Sequence, residues 1–128
     1  NKALFNNVNL KHIFVNLNSR RYPEVDYNLN FEQNKFSRMF AEAIEFNEKC
    51  FGREDKMNIT PFDYSDHYPL FVVDVSNQGD AIKGGVTDIT VKMNFSKPTE
   101  PNTQAFAVVV SDRIVSFEAD GSKFRVVQ

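Results

Sequence analysis

The sequence has no tryptophan and one cysteine among its 128 residues. A lone thiol excludes an intramolecular disulfide framework and a paired-cysteine zinc site. A dominant charge sign is missing too: 15 basic against 17 acidic side chains leave a formal net charge of −2. That balance excludes a strongly basic domain that holds nucleic acid by neutralising phosphates. It equally excludes a polyacidic disordered tail. No apolar run approaches the roughly 18–20 residues that a membrane helix needs. Asn1–Lys11 lacks the basic and apolar regions of a secretory leader. The chain does not start with Met, and the expectation is a piece of a longer protein.

What is present is ordinary in amount and unusual in kind. Hydrophobic residues at 41% are enough to build a core, and the length suits one domain. Thirteen phenylalanines stand out against the absent tryptophan, together with many asparagines.

Periodicity organises the chain. Leu10–Leu17 alternates, with Ile13, Val15 and Leu17 on one face, and reads as a strand. Asn18–Pro23 is turn chemistry. Phe36, Met39, Phe40, Ala43 and Ile44 then recur at helical spacing, predicting one amphipathic helix over about 31–51. Asn30 with Gln33 looks like its capping box, and Gly52 like its C-terminal cap. Polar Arg53–His67 reads as a loop. Pro69–Ser76 reads as a strand, Asn77–Gly85 as a Gly-rich loop, and Val86–Phe95 as the clearest alternating strand. Ser96–Thr103, with two prolines, is an exposed loop. Gln104–Val110, Arg113–Glu118 and Lys123–Val127 are three further strands, the last two joined at Asp120-Gly121. That makes six strands, with Ala3–Asn9 a candidate seventh. Phe14, Phe36, Phe40, Phe95, Phe106 and Phe117 fall on faces suited to packing. Consecutive strands without a βαβ rhythm predict a mainly β, antiparallel sandwich with one inserted helix.

Chemistry is sparse. Asp63, Asp66 and His67 could be drawn as a metal or acid–base cluster, but polar loops commonly carry such residues. His12 lies within a strand pattern without an acidic neighbour in sequence. Cys50 ends the helix, where the dipole does not favour a thiolate. Gly79, Gly84 and Gly85 lack the spacing of a phosphate loop. The Asn58 and Asn94 sequons read as chance matches. No catalytic residue, cofactor or metal site is assigned, and the expectation is a protein that is not an enzyme.

The order of segments carries a resemblance. Asn7–Glu54, Tyr68–Phe95 and Asn102–Gly121 resemble major capsid proteins of the double jelly-roll lineage from Polinton/Maverick elements. These are virus-like DNA transposons with adintovirus relatives. The marks are the strand–Tyr-Pro–helix–Gly-Arg-Glu order, the Val-Asp-Val-Ser strand end before the Gly-rich loop, and the Ser-Asp-Arg-Ile turn. The resemblance covers nearly the whole chain and matches the C-terminal part of such proteins. It implies residues 1–128 as a single jelly-roll-like domain, a fragment of a longer two-jelly-roll chain. It implies a structural shell protein that self-assembles as a homo-oligomer, a trimer in a shell, beside other capsid proteins. Its place would be the virion, after assembly inside the cell in nucleus or cytoplasm, with no membrane and no direct nucleic-acid contact. Arg20, Arg21 and Tyr22 are candidate interface residues, since Arg and Tyr favour interface hot spots. The competing reading is a stand-alone β-sandwich that binds a glycan or peptide through Arg53–His67 and Asn77–Gly85. An enzyme comes third and needs Asp63, Asp66 and His67 to converge.

Overall fold

The strongest alternating segments form the central sheet. The computed structural model describes residues 4–54, 57–78, 86–112, 115–121 and 123–127. Strand β1 (Leu10–Leu17) pairs antiparallel with β2 (Arg20–Tyr22) on one edge and with β3 (Ile89–Phe95) on the other. Leu17 faces Ile89, Val15 faces Val91 and Ile13 faces Met93. Opposed residues share a face, so the two apolar sets coincide. Strict alternation would turn Leu10 away from Ile13. A register shift between Leu10 and His12 instead sets Leu10 opposite Phe95. Lys11 is the extra residue of this bulge, and Leu10 returns to the apolar face and is buried.

The β1–β2 connection is a two-residue turn, Asn18 and Ser19, with Asn18 in the left-handed region at φ 52°. Asparagine tolerates that conformation better than other side chains. The Asn18 N–H donates to the Asp88 carbonyl at 2.9 Å, and Asn18 Oδ1 accepts from the Asp88 N–H at 2.9 Å. The turn thus also clamps the start of β3.

A helical layer covers one end of the apolar face. The helical segment expected over about 31–51 is present in three pieces: a 3-10 turn (Phe31–Gln33), α1 (Ser37–Ile44) and α2 (Phe46–Phe51). Asn30 Oδ1 accepts from the Gln33 N–H at 3.0 Å, so the capping pair exists but caps the short turn. Asn34 at φ 54° ends that turn, which is why the helix does not run through. Gly52 closes α2 at φ 62°. Phe36, Met39 and Ala43 are buried against Leu10, Ile13, Leu29, Phe31 and Tyr64. The rings of Phe31 and Phe36 stack at 5.3 Å, and Phe40 and Tyr64 meet at 5.2 Å.

Five further expectations change. Arg53–His67 holds a helix, α3 (Pro61–Asp66), capped by Thr60 with Pro61 at its first turn. Pro69–Ser76 forms no strand; Phe71, Val72 and Val73 pack on the core without a sheet partner. Gln104–Val110 forms no strand either. Phe36, Phe40 and Phe95 join the core and Phe14 lies beneath Arg21, but Phe106 and Phe117 are exposed. β-branched residues favour a pleated, half-buried surface, and that preference supplies no neighbouring strand. Residues 4–9 hold no strand, while Ala3, residues 79–85, Arg113 and Ile114 lie outside the described residues. The last hairpin forms, from β4 (Ser116–Asp120), two residues beyond the expected end at Glu118, and β5 (Lys123–Val127), with Asp120 opposite Lys123 and Gly121 at φ 62°. The architecture is mainly β and antiparallel with helical insertions.

Three substitutions at two positions probe this frame. Asn18→Gly loses one side-chain hydrogen bond, about 1 kcal/mol. Asn18→Ala adds a left-handed penalty of about 1–2 kcal/mol. Urea midpoints are expected to fall in the order wild type, Gly, Ala; equal values for Gly and Ala would remove the left-handed requirement. Met39 is fully buried, and Met39→Ala is expected to cost about 2–5 kcal/mol in the same measurement.

Candidate functional site

The three candidate interface residues occupy consecutive positions of a strand, so alternation divides them. Arg20 and Tyr22 sit opposite Leu17 and Val15, on the apolar face; Arg21 sits opposite Asn16, on the other. Arg20 is exposed, with its guanidinium 5.4 Å from the Tyr22 ring centre and 3.7 Å from Glu24. Both contacts leave its donors open to solvent. Tyr22 is buried, and its hydroxyl donates to the Asn77 carbonyl at 3.1 Å. Arg21 stacks on Phe14 at 4.0 Å and forms an ion pair with Asp26. His12 Nδ1 lies 4.0 Å from the same carboxylate. The surface available to a partner therefore narrows to Arg20 and the outer part of Arg21.

The candidate chemical residues are committed to the fold. Asp63 is the N-terminal clamp of α3: its N–H donates to Thr60 Oγ1 at 3.1 Å, and its carboxylate accepts from that hydroxyl at 2.7 Å. Threonine followed three residues later by a carboxylate is a helix-start signal, and it was legible in the sequence. His67 caps the other end, with Nδ1 3.9 Å from Asp63. Asp66 accepts from Ser65 Oγ at 3.0 Å. These three groups do not converge on a common point, and no cluster of three or more metal-ligating side chains occurs among the described residues. Cys50 is exposed on α2. An open cleft of about 250 Å³ between α1 and α3 is lined by Phe36, Phe40 and Phe62 with Asn34, Ser37 and Ser65, a set without an acid or base. The Arg53–His67 stretch offered as a ligand loop is in part this helix.

A third polar cluster pins residues 25–29 to α1. The Tyr27 hydroxyl donates to Glu42 Oε2 at 2.6 Å, Arg38 Nε donates to Glu42 Oε1 at 3.3 Å, and the Arg38 guanidinium lies 4.5 Å over the Tyr27 ring. Burial first, and the neighbouring Glu42 second, hold the Tyr27 phenol well above the ordinary range. Burial does the same for Tyr64, whose hydroxyl donates to the Leu70 carbonyl at 3.0 Å.

Outside these clusters the surface is unexpectedly apolar. Val86 is 97% exposed, and Ile89 and Val91 at the uncovered end of β3 are exposed too. Phe106 is 81% and Val108 89% exposed, with Val109 and Val110 also in solvent. Reading Gln104–Val110 as a core strand hid this surface, since a run of that composition looks alike in either place.

Comparison with known proteins returns one family. The family model of the double jelly roll-like domain matches residues 1–115. No curated protein matches, and no solved structure does. No helix among the described residues is long and apolar enough to cross a membrane.

The tyrosines give a pH expectation with a definite sign. A phenol whose folded pKa is raised contributes stability below the unfolded value, about 10, and that contribution is lost as pH rises through the folded value. Two of the four tyrosines, Tyr27 and Tyr64, are in that position. Absorbance titration near 295 nm should show two phenols ionising only with alkaline unfolding. Ionisation of all four before the far-ultraviolet signal changes would contradict the assignment.

Proposed function

The chain belongs to the double jelly roll-like domain family, and from that premise we propose that it is a capsid-type structural subunit that acts by self-assembly. The observation that carries the reading is the family match, which spans residues 1–115 of 128. Jelly rolls of this kind work through shape: antiparallel sheets present side surfaces that symmetry repeats. The finer assignment is the shell of a Polinton/Maverick-type element, with the subunit as a homotrimer beside other capsid proteins and the particle as its location. A formal charge of −2 fits a subunit whose shell leaves genome contact to other components. Consistent with a structural role, Asp63 and His67 are spent on the ends of α3.

Assembly is measurable as a concentration-dependent rise in light-scattering mass. A chain that stays monomeric at every concentration reached overturns the reading. Arg20 is the clean probe of the candidate interface, because Arg21 is tied to Asp26 and Tyr22 is buried. Arg20→Glu is expected to raise the assembly midpoint about tenfold, the equivalent of about 1.4 kcal/mol. An unchanged midpoint removes Arg20 from the interface.

A further inference from the structure

We propose that residues 104–110 are a donor strand that pairs, antiparallel, with the outer edge of β3 in a second copy of this chain. The inference rests on the self-assembly reading and assigns it a contact.

The donor is Gln104-Ala105-Phe106-Ala107-Val108-Val109-Val110, a stretch of strand-forming composition that lies outside any strand. No hydrogen bond joins its backbone to the rest of the described residues. A bare apolar backbone of this kind is ready to extend a sheet.

The acceptor follows from the sheet order. β2 and β3 are the two edges, and they differ. β2 is three residues long, carries Arg20 and Arg21, and is followed by Pro23, which are the devices that blunt an edge. β3 is seven residues long and carries one charge, Lys92. Its apolar face is uncovered at Ile89 and Val91.

The two segments match in period. With Phe106 opposite Met93, Val108 faces Val91 and Val110 faces Ile89, all on the apolar face. Ala105, Ala107 and Val109 then fall opposite Asn94, Lys92 and Thr90, where small side chains leave room for the Lys92 stem.

The chain leaving β3 is directed away from its own free edge. The Ser96 N–H and hydroxyl both donate to the Asn9 carbonyl, at 2.9 and 3.2 Å, and Lys97 pairs with Glu32 on the helical side. Thr103 folds back on Glu100, with Asn102 left-handed. These ties favour a second copy over the same chain as the occupant. Ile89 and Val91 on the acceptor and Phe106 and Val108–Val110 on the donor are exposed, so strand addition would take apolar surface of both copies out of water. Donor and acceptor are different surfaces, so the contact closes by two-fold reciprocal exchange or as a head-to-tail ring, and continues as a filament where the rotation does not close.

The test uses Val108→Asp and a mixed cross-link. Val108 is exposed, so the substitution leaves the core untouched, and circular dichroism with the urea midpoint checks that. Light scattering is expected to show assembly of the wild-type chain, with a midpoint raised at least about tenfold in Val108→Asp. In a Cys50→Ser background, chains carrying Ala107→Cys are mixed with chains carrying Lys92→Cys and oxidised. A disulfide-linked pair of different chains supports the proposal. Three results overturn it. Assembly of Val108→Asp like wild type leaves the self-assembly reading standing. A cross-link found only when both cysteines share a chain assigns the segment to its own β3. A wild-type chain that never assembles removes the self-assembly reading as well.

Discussion

The antiparallel register of β1 against β3 is the constraint on which the other elements depend. It brings Leu17 to Ile89 across the whole of residues 18–88, and it alone makes an apolar face wide enough to carry the helical layer. Closing so long a loop is entropically costly, although the cost grows slowly with length. The register is held at both ends by asparagines in the left-handed region. Asn18, at φ 52°, exchanges two hydrogen bonds with Asp88; Asn9, at φ 54°, accepts two from Ser96. Slippage by one residue would break both clamps and move every apolar side chain to the wrong face. Hence the bulge at Lys11 is needed: without it Leu10 would leave the core, and Asn9 would fall opposite Lys97 instead of Ser96.

That constraint explains a compositional oddity better than any enzymatic role could. Apart from Val8, the described non-glycine residues with positive φ are Asn9, Asn18, Asn28, Asn34 and Asn102. Each sits where the chain turns: before β1, between β1 and β2, before the helical layer, after the 3-10 turn, and after β3. Asparagine accepts that conformation through short local hydrogen bonds and, unlike glycine, keeps a side chain that can bond across the turn. Asn18 does so with Asp88.

Legibility in the sequence followed the physics of each element. β1 and β3 were readable because alternation states that a strand forms and which residues share a face, although on β3 Ile89 and Val91 of that face are exposed. The Asp120-Gly121 hairpin was readable because its turn chemistry is local. Segments 69–76 and 104–110 were misread for one shared reason: β propensity is a statement about surfaces, and whether a neighbouring edge is free is decided elsewhere in the chain. Helix α3 was missed because Arg53–His67 is largely polar, although Pro61 sits at the first helical turn, where its missing N–H costs nothing. The breaks in the helix went unseen because the stripe from Phe36 to Ile44 is genuine; Asn34 marks the first, and nothing in the periodicity marks the second, at Glu45. At the candidate site, the types of Arg20, Arg21 and Tyr22 were legible, but their separation needed the strand that contains them.

That separation also joins the two surfaces proposed for assembly. Arg20 pairs with Leu17, and Leu17 pairs with Ile89, so the three form one row across the sheet on one face. Tyr22, Val15 and Val91 form the next row. The helical layer packs on Leu10, Ile13, Met93 and Phe95 at the opposite end and stops short of these rows. Arg20 and the exposed Ile89 and Val91 of β3 therefore flank one end of the apolar face, on either side of the buried Leu17 and Tyr22, one as a charged rim and the other as an apolar margin. An apolar centre bordered by arginine is the ordinary anatomy of a protein–protein contact. A partner strand added at the β3 edge would widen that same face, so pairing at the edge and packing on the end are two parts of one surface.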